Sequence, residues 1–545
     1  MHAIDPASAL RRFLVLSTTL LLCVSIPHLA RGQQSPIAAI APGRYIVVYR
    51  NGSIPGDANL RVRLAGATLT RRYDRLGIAS LRADPTNDAA TIARLRALPN
   101  IETVVHDRYV RVNRLEINAA PAPDPIGVHI QSAPHPALLS APKPLPIRAR
   151  APIRPVLPNL GAPVAPFDTY YTATPQGWAV QQVGGYGNGV AGGPAHGPWD
   201  TTMGKGIRIA IIDSGVDEYH PDIAPNLALS LSEVDQTALP SPCDDGMPQD
   251  QQGHGTWTAS LAAAAIGPGT GLTIGVAPQA SILNIKVLER MPSGDGSDPA
   301  TQCPSGEPSG LLSWVIAGLD DAVSNHADVV SLSLGALVDI TTGDGAGLKA
   351  IFDQVTSAVA QQNVVLIAAA GNDGLNLSSP QYVEIPAESR DVLAIVASTN
   401  PACAQNIASG ATCIPGPITL AYYSDYGAPL DALAAPGGSL PVGADTAVTG
   451  WVRGACSAGK PSTVEGPPSD RAHSYGCFNL GHQQYVQAIG TSAAAPLAAG
   501  VAALLRAAHP SWDAAAVVGA MRSSASSIAT LPVPQVSAAA ALTVP

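Results

Sequence analysis

The apolar positions of this chain follow two different periods, separated by a stretch with none. Between Pro42 and Asn113, "RYIVVYR", "GIASLRA" and "ETVVHDRYVRV" alternate apolar and polar residues, the period of strands with one buried face. "NDAATIARLRALP" carries the helical period, with Asn87 and Asp88 at the place of a cap. From Phe167 onward the runs are short and almost wholly apolar: "GIRIAIID", "SILNIKVL", "ADVVSLSLG", "VVLIAAAGN" and "VLAIVAST", with helical runs between them. Such strands are buried on both faces, which predicts a parallel sheet covered by helices on each side. Residues 114–166 lose all period and are rich in Pro and Ala, the text of an extended, protease-sensitive linker. No internal repeat is present. The expected fold class is therefore α/β, a mainly parallel sheet flanked by helices in residues 167–545, preceded by a small α+β domain in residues 42–113.

The first 32 residues read as an export signal. Arg11 and Arg12 precede the apolar run "FLVLSTTLLLCVSI", Pro27 ends it, and Ala30 and Gly32 stand at the spacing of a cleavage site. The run is too short to span a bilayer, so the expected product is secreted, extracellular or periplasmic, with no membrane attachment once the signal is removed. Removal takes Cys23 with it and leaves Cys243, Cys303, Cys403, Cys413, Cys456 and Cys477. An even number in an exported chain favours disulfides; six cysteines allow 15 connectivities. Proximity favours Cys403–Cys413 and Cys456–Cys477, leaving Cys243–Cys303.

Charge divides the chain as hydropathy does. Residues 44–114 carry 13 Arg and 6 acids, net +7, whereas residues 167–545 carry 11 basic and 31 acidic side chains, net −20. Opposite signs in one chain suggest that the small domain binds the large one. The whole chain, at a formal −9, offers no basic surface for nucleic acid.

Three polar residues interrupt the apolar text where the sheet's edge is expected. Asp213 ends "IRIAIID", His254 stands between two glycines at the head of a helix of small residues, and Ser492 opens "TSAAAPLAAGVAALL". An acid at the end of a buried strand is costly without donors. A serine hydroxyl is a poor nucleophile until a base takes its proton; neutral imidazole is that base near pH 7, and a buried carboxylate fixes its tautomer. Asn372, just past "VVLIAAAG", supplies an amide N–H suited to an oxyanion. Singly, each has a commoner explanation: Ser492 as a helix cap, Asp213 and Asn372 as turn residues, His254 as a structural histidine.

Together, "AIIDSGVDEYHPDI", "GHGTWTASLAA", "GVAPQASILNIKVL", "SLSLG", "AAAGNDG" and "GTSAAAP", in that order, resemble the subtilisin-like serine proteases, the subtilases, over most of residues 175–525. The resemblance implies a secreted serine endopeptidase made as a zymogen that processes itself. Asp213, His254 and Ser492 would be the triad and Asn372 the oxyanion donor. Ser333, Leu334 and Gly335 would pair with an extended peptide substrate, and Ala370 and Gly371 would line the neighbouring pocket. Glu384, in "QYVEIPAES", would lie near the floor of the pocket for the residue before the scissile bond, where a carboxylate favours a basic side chain. Residues 42–113 would be the inhibitory, fold-assisting prodomain, which gives the basic segment its partner. The chemistry requires no cofactor. A structural calcium is a family habit, with Asp222 as its ligand, although "AIGPGTGLTIG" lacks the Asn or Asp that a hard cation prefers. The expected enzyme is a monomer acting on protein or peptide substrates.

Departures from the family pattern are Ala493 after the serine, Trp257 where a histidine is usual, and three insertions at 289–310, 400–415 and 452–480, each carrying at least one cysteine. "GTSAA" lacks the second glycine of an α/β-hydrolase elbow, and no HExxH is present for zinc. The rival readings are a degenerate, non-catalytic subtilase that binds proteins, and a processing enzyme with one partner substrate.

Overall fold

In the computed structural model the described residues are 37–112, 177–187, 196–267, 273–303, 306–400, 417–428, 430–438, 452–457 and 485–545. The expected signal and linker, and most of the insertions at 400–415 and 452–480, lie outside them.

Five of the apolar runs form the heart of an eight-stranded sheet. They are β5 (Arg208–Asp213), β7 (Ser281–Lys286), β10 (Val329–Leu332), β12 (Val365–Ala369) and β14 (Val392–Thr399). The order β15-β14-β12-β10-β5-β7-β6 is completed by β6 (Leu227–Ser232) and β15 (Thr419–Leu420), with β16 (Ala432–Pro436) also paired to β14. All pairs are parallel except β14–β15. Burial on both faces explains the unbroken apolar text: in β5, Ile209 and Ile211 enter one core cluster, Ala210 and Ile212 the other.

Two helices of small residues cover the first face, α3 (His254–Ala263) and α6 (Thr491–Ala508). Every residue of α3 is buried. Small side chains let these helices approach closely; a Cβ on Gly500 of α6 would fall 3.0 Å from the Ala262 carbonyl oxygen of α3. The opposite face is covered by α4 (Leu312–Ser324) and α5 (Gly343–Ala360), through Val315, Leu319, Phe352 and Val355. Each such side chain removed from water contributes about 1.5–3 kcal/mol.

The N-terminal subdomain folds as β1 (Ile40–Tyr49), β2 (Ala67–Tyr73), β3 (Ile78–Ala83) and β4 (Ile101–Arg111), with helices α1 (Ala58–Leu64) and α2 (Asp88–Arg96). Alternation in β1 gives it two jobs. Tyr45 and Val47 face a small core shared with Val62 and Leu95, while Ile46 and Val48 join the large domain's second cluster. The antiparallel sheet β2-β3-β1-β4 runs on into β9 (Glu307–Leu311) and β8 (Leu288–Met291), a hairpin built from the 289–310 insertion. The charge complementarity is realised side chain by side chain. Arg71 reaches Glu233 and Asp321, Arg75 reaches Asp320, Arg108 reaches Asp344, and Arg44 donates to the carbonyls of Thr237 and Ala238.

Two details differ from the sequence reading. Helix α2 stands where expected, but Asn87 makes no side-chain cap; Asp84, three residues earlier, caps the preceding turn by accepting the Thr86 N–H. Strand β2 breaks the apolar alternation because Arg71 and Arg72 spend their length on acids and carbonyls rather than on the core. Cys243 and Cys303, the pair left over by the proximity argument, are disulfide-bonded. Cys456 is disulfide-bonded too, whereas Cys403, Cys413 and Cys477 lie outside the described residues.

Candidate active site

Asp213 is the last residue of β5 and is 1% exposed. Its Oδ1 accepts the Ser214 N–H at 2.7 Å and faces His254 Nδ1 at 2.7 Å; its Oδ2 accepts the Thr258 hydroxyl at 3.1 Å. With a carboxylate on that side, the imidazole proton belongs on Nδ1, which leaves Nε2 as the basic nitrogen. His254 opens α3, and the approach of helix to strand depends on glycine: a Cβ on Gly255 would fall 2.0 Å from the Gly215 carbonyl oxygen.

A second acid fixes this corner and was missed in the sequence. Asp250 Oδ1 accepts from the Ser214 hydroxyl and the N–H groups of Gln252 and Gly253; Oδ2 accepts from Thr256 through both its N–H and its hydroxyl. Burial pushes its carboxyl upward in pKa, against the Thr256 and Gly253 hydrogen bonds. Nothing local marked it: it stands three residues before Gly253, which holds the cap position of α3.

Ser492 is the second residue of α6, after Gly490 at φ 152°. It is not a helix cap. Its hydroxyl is directed at the Ser333 carbonyl at 3.4 Å, and the Ser333 hydroxyl donates to the Ser492 carbonyl at 3.0 Å. Asn372, beyond β12, accepts the Thr491 N–H and hydroxyl on Oδ1, both at 2.8 Å. That leaves the Nδ2 amide over the turn leading to Ser492, 3.5 Å from where a Cβ on Gly490 would be. Helices α3 and α6 pack together, and both begin at the edge where β5, β10 and β12 end. Asp213 and His254 are thus bonded directly, and Asn372 and Ser333 are tied to Ser492 and its neighbour.

The segment after β10 pairs with peptide backbone already. Gly335 exchanges two backbone hydrogen bonds with Arg111 of β4, at 3.3 and 3.2 Å. On its other side β4 pairs antiparallel with β9, Arg111 opposite Ser309 and Val110 opposite Gly310. The end of the N-terminal subdomain therefore lies as a strand between Gly335 and β9.

Ala370 and Gly371 leave β12 one strand away, Ala370 fully buried. Glu384 lies in β13 (Tyr382–Ile385), which pairs with β11 (Ala336–Asp339) so that Glu384 is opposite Leu337. Its side chain is 0% exposed, and neither carboxyl oxygen has a donor among the described residues. Burial, then Asp425, Asp373 and Glu388, push it well above the usual carboxylate range. Asp222 is buried and accepts the Thr273 hydroxyl at 2.9 Å. Residues 268–272, the loop expected to lend carbonyls to a calcium, lie outside the described residues. Among the described residues no three His, Cys, Asp or Glu side chains gather as a metal site.

Residues 204–540 match the family model described as "Subtilase family". The chain is 31% identical over 324 residues to subtilisin NAT of Bacillus subtilis subsp. natto, which covers 59% of this chain and 61% of that protein. It is 36% identical over 202 residues to thermitase of Thermoactinomyces vulgaris, 37% of this chain and 58% of that one. Among solved structures, the epidermin leader peptide processing serine protease of Staphylococcus aureus matches in fold at a TM-score of 0.57 and 16% identity, over 92% of this chain and 98% of its own.

Proposed function

The chain belongs to the subtilase family, and on that premise we propose that it is a serine endopeptidase exported as a zymogen. The observation that carries the reading is the 2.7 Å contact between Asp213 and the Nδ1 of His254, buried at the strand edge where the Ser492 helix also begins.

Ser492 Oγ attacks the scissile carbonyl while His254 Nε2 takes its proton; Asp213 holds the Nδ1–H and stabilises the imidazolium. The carbonyl oxygen, now negative, is met by the Asn372 amide and the Ser492 N–H at the positive end of α6. His254 returns the proton to the leaving amine. Water then repeats the sequence on the acyl-enzyme and frees the acid. The substrate backbone is read as an added strand by Ser333, Leu334 and Gly335. Glu384 selects a basic side chain before the scissile bond. The N-terminal subdomain, with the Pro-rich stretch after it, acts as the prodomain: its β4 takes the place of that substrate strand and blocks the groove until it is cut away. None of these steps calls on a cofactor.

A fluorophosphonate probe tests the central claim. It labels Ser492 in the processed chain, and Ser492→Ala or His254→Ala abolishes labelling. A folded chain that never labels is the non-catalytic binding protein instead. Casein hydrolysis by the labelled enzyme separates a broad protease from one devoted to a single substrate.

A further inference from the structure

The strand pairing that places Glu384 also brings a second carboxylate to the same wall. β10 and β12 are parallel neighbours with Leu332 opposite Ala368, so Gly335 and Gly371, three residues beyond each, are matched exits from adjacent strands. Behind each glycine stands a buried acid. A Cβ on Gly335 would fall 1.9 Å from Glu384 Oε1, and a Cβ on Gly371 would fall 2.1 Å from Asp425 Oδ2. A side chain at either position would collide with the carboxylate behind it, so the two acids reach the strand exits only because both residues are glycine. Gly371 also has φ 111°, which a side chain would disfavour.

The two acids are held from behind and bare in front. Asp425 Oδ1 accepts the N–H groups of Asp373 and Leu375, at 3.1 and 2.7 Å, which points Oδ2 at Gly371. The Glu384 backbone is fixed by β11 and by its own N–H, donated to Glu388 Oε1 at 2.7 Å. Both side chains are 0% exposed, and Glu384 Oε1, Glu384 Oε2 and Asp425 Oδ2 have no donor among the described residues. A buried carboxylate charge without donors is unfavourable, so such a group keeps its proton or meets donors from elsewhere. Two facing one crevice are tolerated most simply when a ligand supplies the donors.

We propose that Asp425 is a second specificity residue, which with Glu384 makes the pocket behind Gly335 and Gly371 a two-carboxylate receptor for the guanidinium or ammonium of the residue preceding the scissile bond. This rests on the reading of Glu384 given above and adds a partner to it. Arginine fits the arrangement best, because its planar fork can donate to two carboxylates at once. The charge state follows from the surroundings. Burial first, then Asp373 and Glu388, push Asp425 up to about 7. Asp373 and Glu388 are themselves raised by burial, tempered by Arg111 near Asp373 and Lys349 near Glu388. The empty pocket is therefore largely protonated in mild acid, and a bound cation displaces protons from it.

The test uses the full chain, expressed and left to process itself, with two peptides that differ only in Arg or Leu before the cleaved bond. The readout is the Arg to Leu ratio of kcat/KM, in which His254 cancels. In the wild type this ratio favours Arg and rises as pH passes through 7, because Asp425 gains charge there. Asp425→Asn and Glu384→Gln each lower it by at least about tenfold, and the double variant loses less than the two losses combined. If Asp425→Asn slows both peptides equally, Asp425 merely braces the 373–375 turn and the proposal falls. If Glu384→Gln alone collapses the ratio, Asp425 is excluded while the reading of Glu384 stands. A wild type without preference for Arg removes that reading itself. Should Asp425→Asn not fold, a wild-type ratio that stays flat from pH 6 to 9 still overturns the proposal.

Discussion

Two buried corners of this molecule treat carboxylates in opposite ways. At the edge of β5, Asp213 has three donors and Asp250 five, from backbone, hydroxyls and the imidazole. At the pocket wall, Glu384 has none among the described residues and Asp425 is satisfied on one oxygen only. Donors within the protein offset the cost of burial at the first corner; at the second the groups must take up a proton or meet donors from a ligand. The first corner makes its hydrogen bonds within the protein. The second is half of a contact.

The difference between the two corners is largest at Asp213. Asp213→Asn keeps the volume but puts a donor where an acceptor stood, and the imidazole turns to the wrong tautomer. Turnover should fall by about 10⁴ with the fold retained. A loss below a hundredfold, with an unchanged circular dichroism spectrum, would take Asp213 out of the mechanism. Asp244 offers a third treatment of a buried acid, a salt bridge of 2.8 Å to the equally buried Lys286. The neighbouring Cys243 is anchored to Cys303 across 60 residues. Closing a loop of that length stabilises by about 4 kcal/mol in the chain-entropy account. Replacing both cysteines by serine should lower the melting temperature by many degrees, and an unchanged melting curve would show the bridge to be idle. Asn372→Ala tests the oxyanion amide. The expected loss is about 10²–10³ in kcat, as for the oxyanion asparagine of subtilisins. Equal turnover by the variant would assign the oxyanion to backbone donors alone.

Most of the fold was legible because the strands of a covered parallel sheet are written as apolar runs, and five such runs became five central strands. The Asp213–His254 pair was legible because a polar residue inside such text must have a reason. What stayed hidden was whatever depends on long-range partners. Asp250 looks like any loop acid until five donors converge on it. Asp425 lies 41 residues beyond Glu384 in the chain, and only the matched exits of β10 and β12 place both at one wall. β2 was hidden because its arginines serve the docked neighbour, not its own core. Asn87 failed as a cap because Asp84 had already organised the turn before it.

The smallest effect concerns how the basic subdomain lets go, and it turns on acids that lie between the two corners in kind. His106 of β4 lies between Asp344 of α5, at 3.2 Å, and Asp88 of its own subdomain, at 2.9 Å. Asp344, then Asp88, raise the imidazole's pKa against the opposing effect of burial. Its contribution to docking is complete below about pH 6.5 and is lost as pH rises through the raised value. Asp107 beside it is pushed to about 6 by burial, with the Ser313 and Arg108 hydrogen bonds opposing. Docking therefore also favours its protonated form and weakens between about pH 4 and 6. Burial raises Asp88 and Asp344 as well, but Tyr45 and His106 hold the first, and His106 the second, below the ordinary value. Their contribution disappears only in stronger acid. The subdomain should thus bind most tightly in mild acid and come away more readily as pH climbs past 7. Inhibition of the processed enzyme by added residues 37–113, measured from pH 5 to 9, should weaken severalfold across that range. His106→Gln should flatten the upper half of the curve, and a curve that keeps its slope in that variant would clear the imidazole of any part in release.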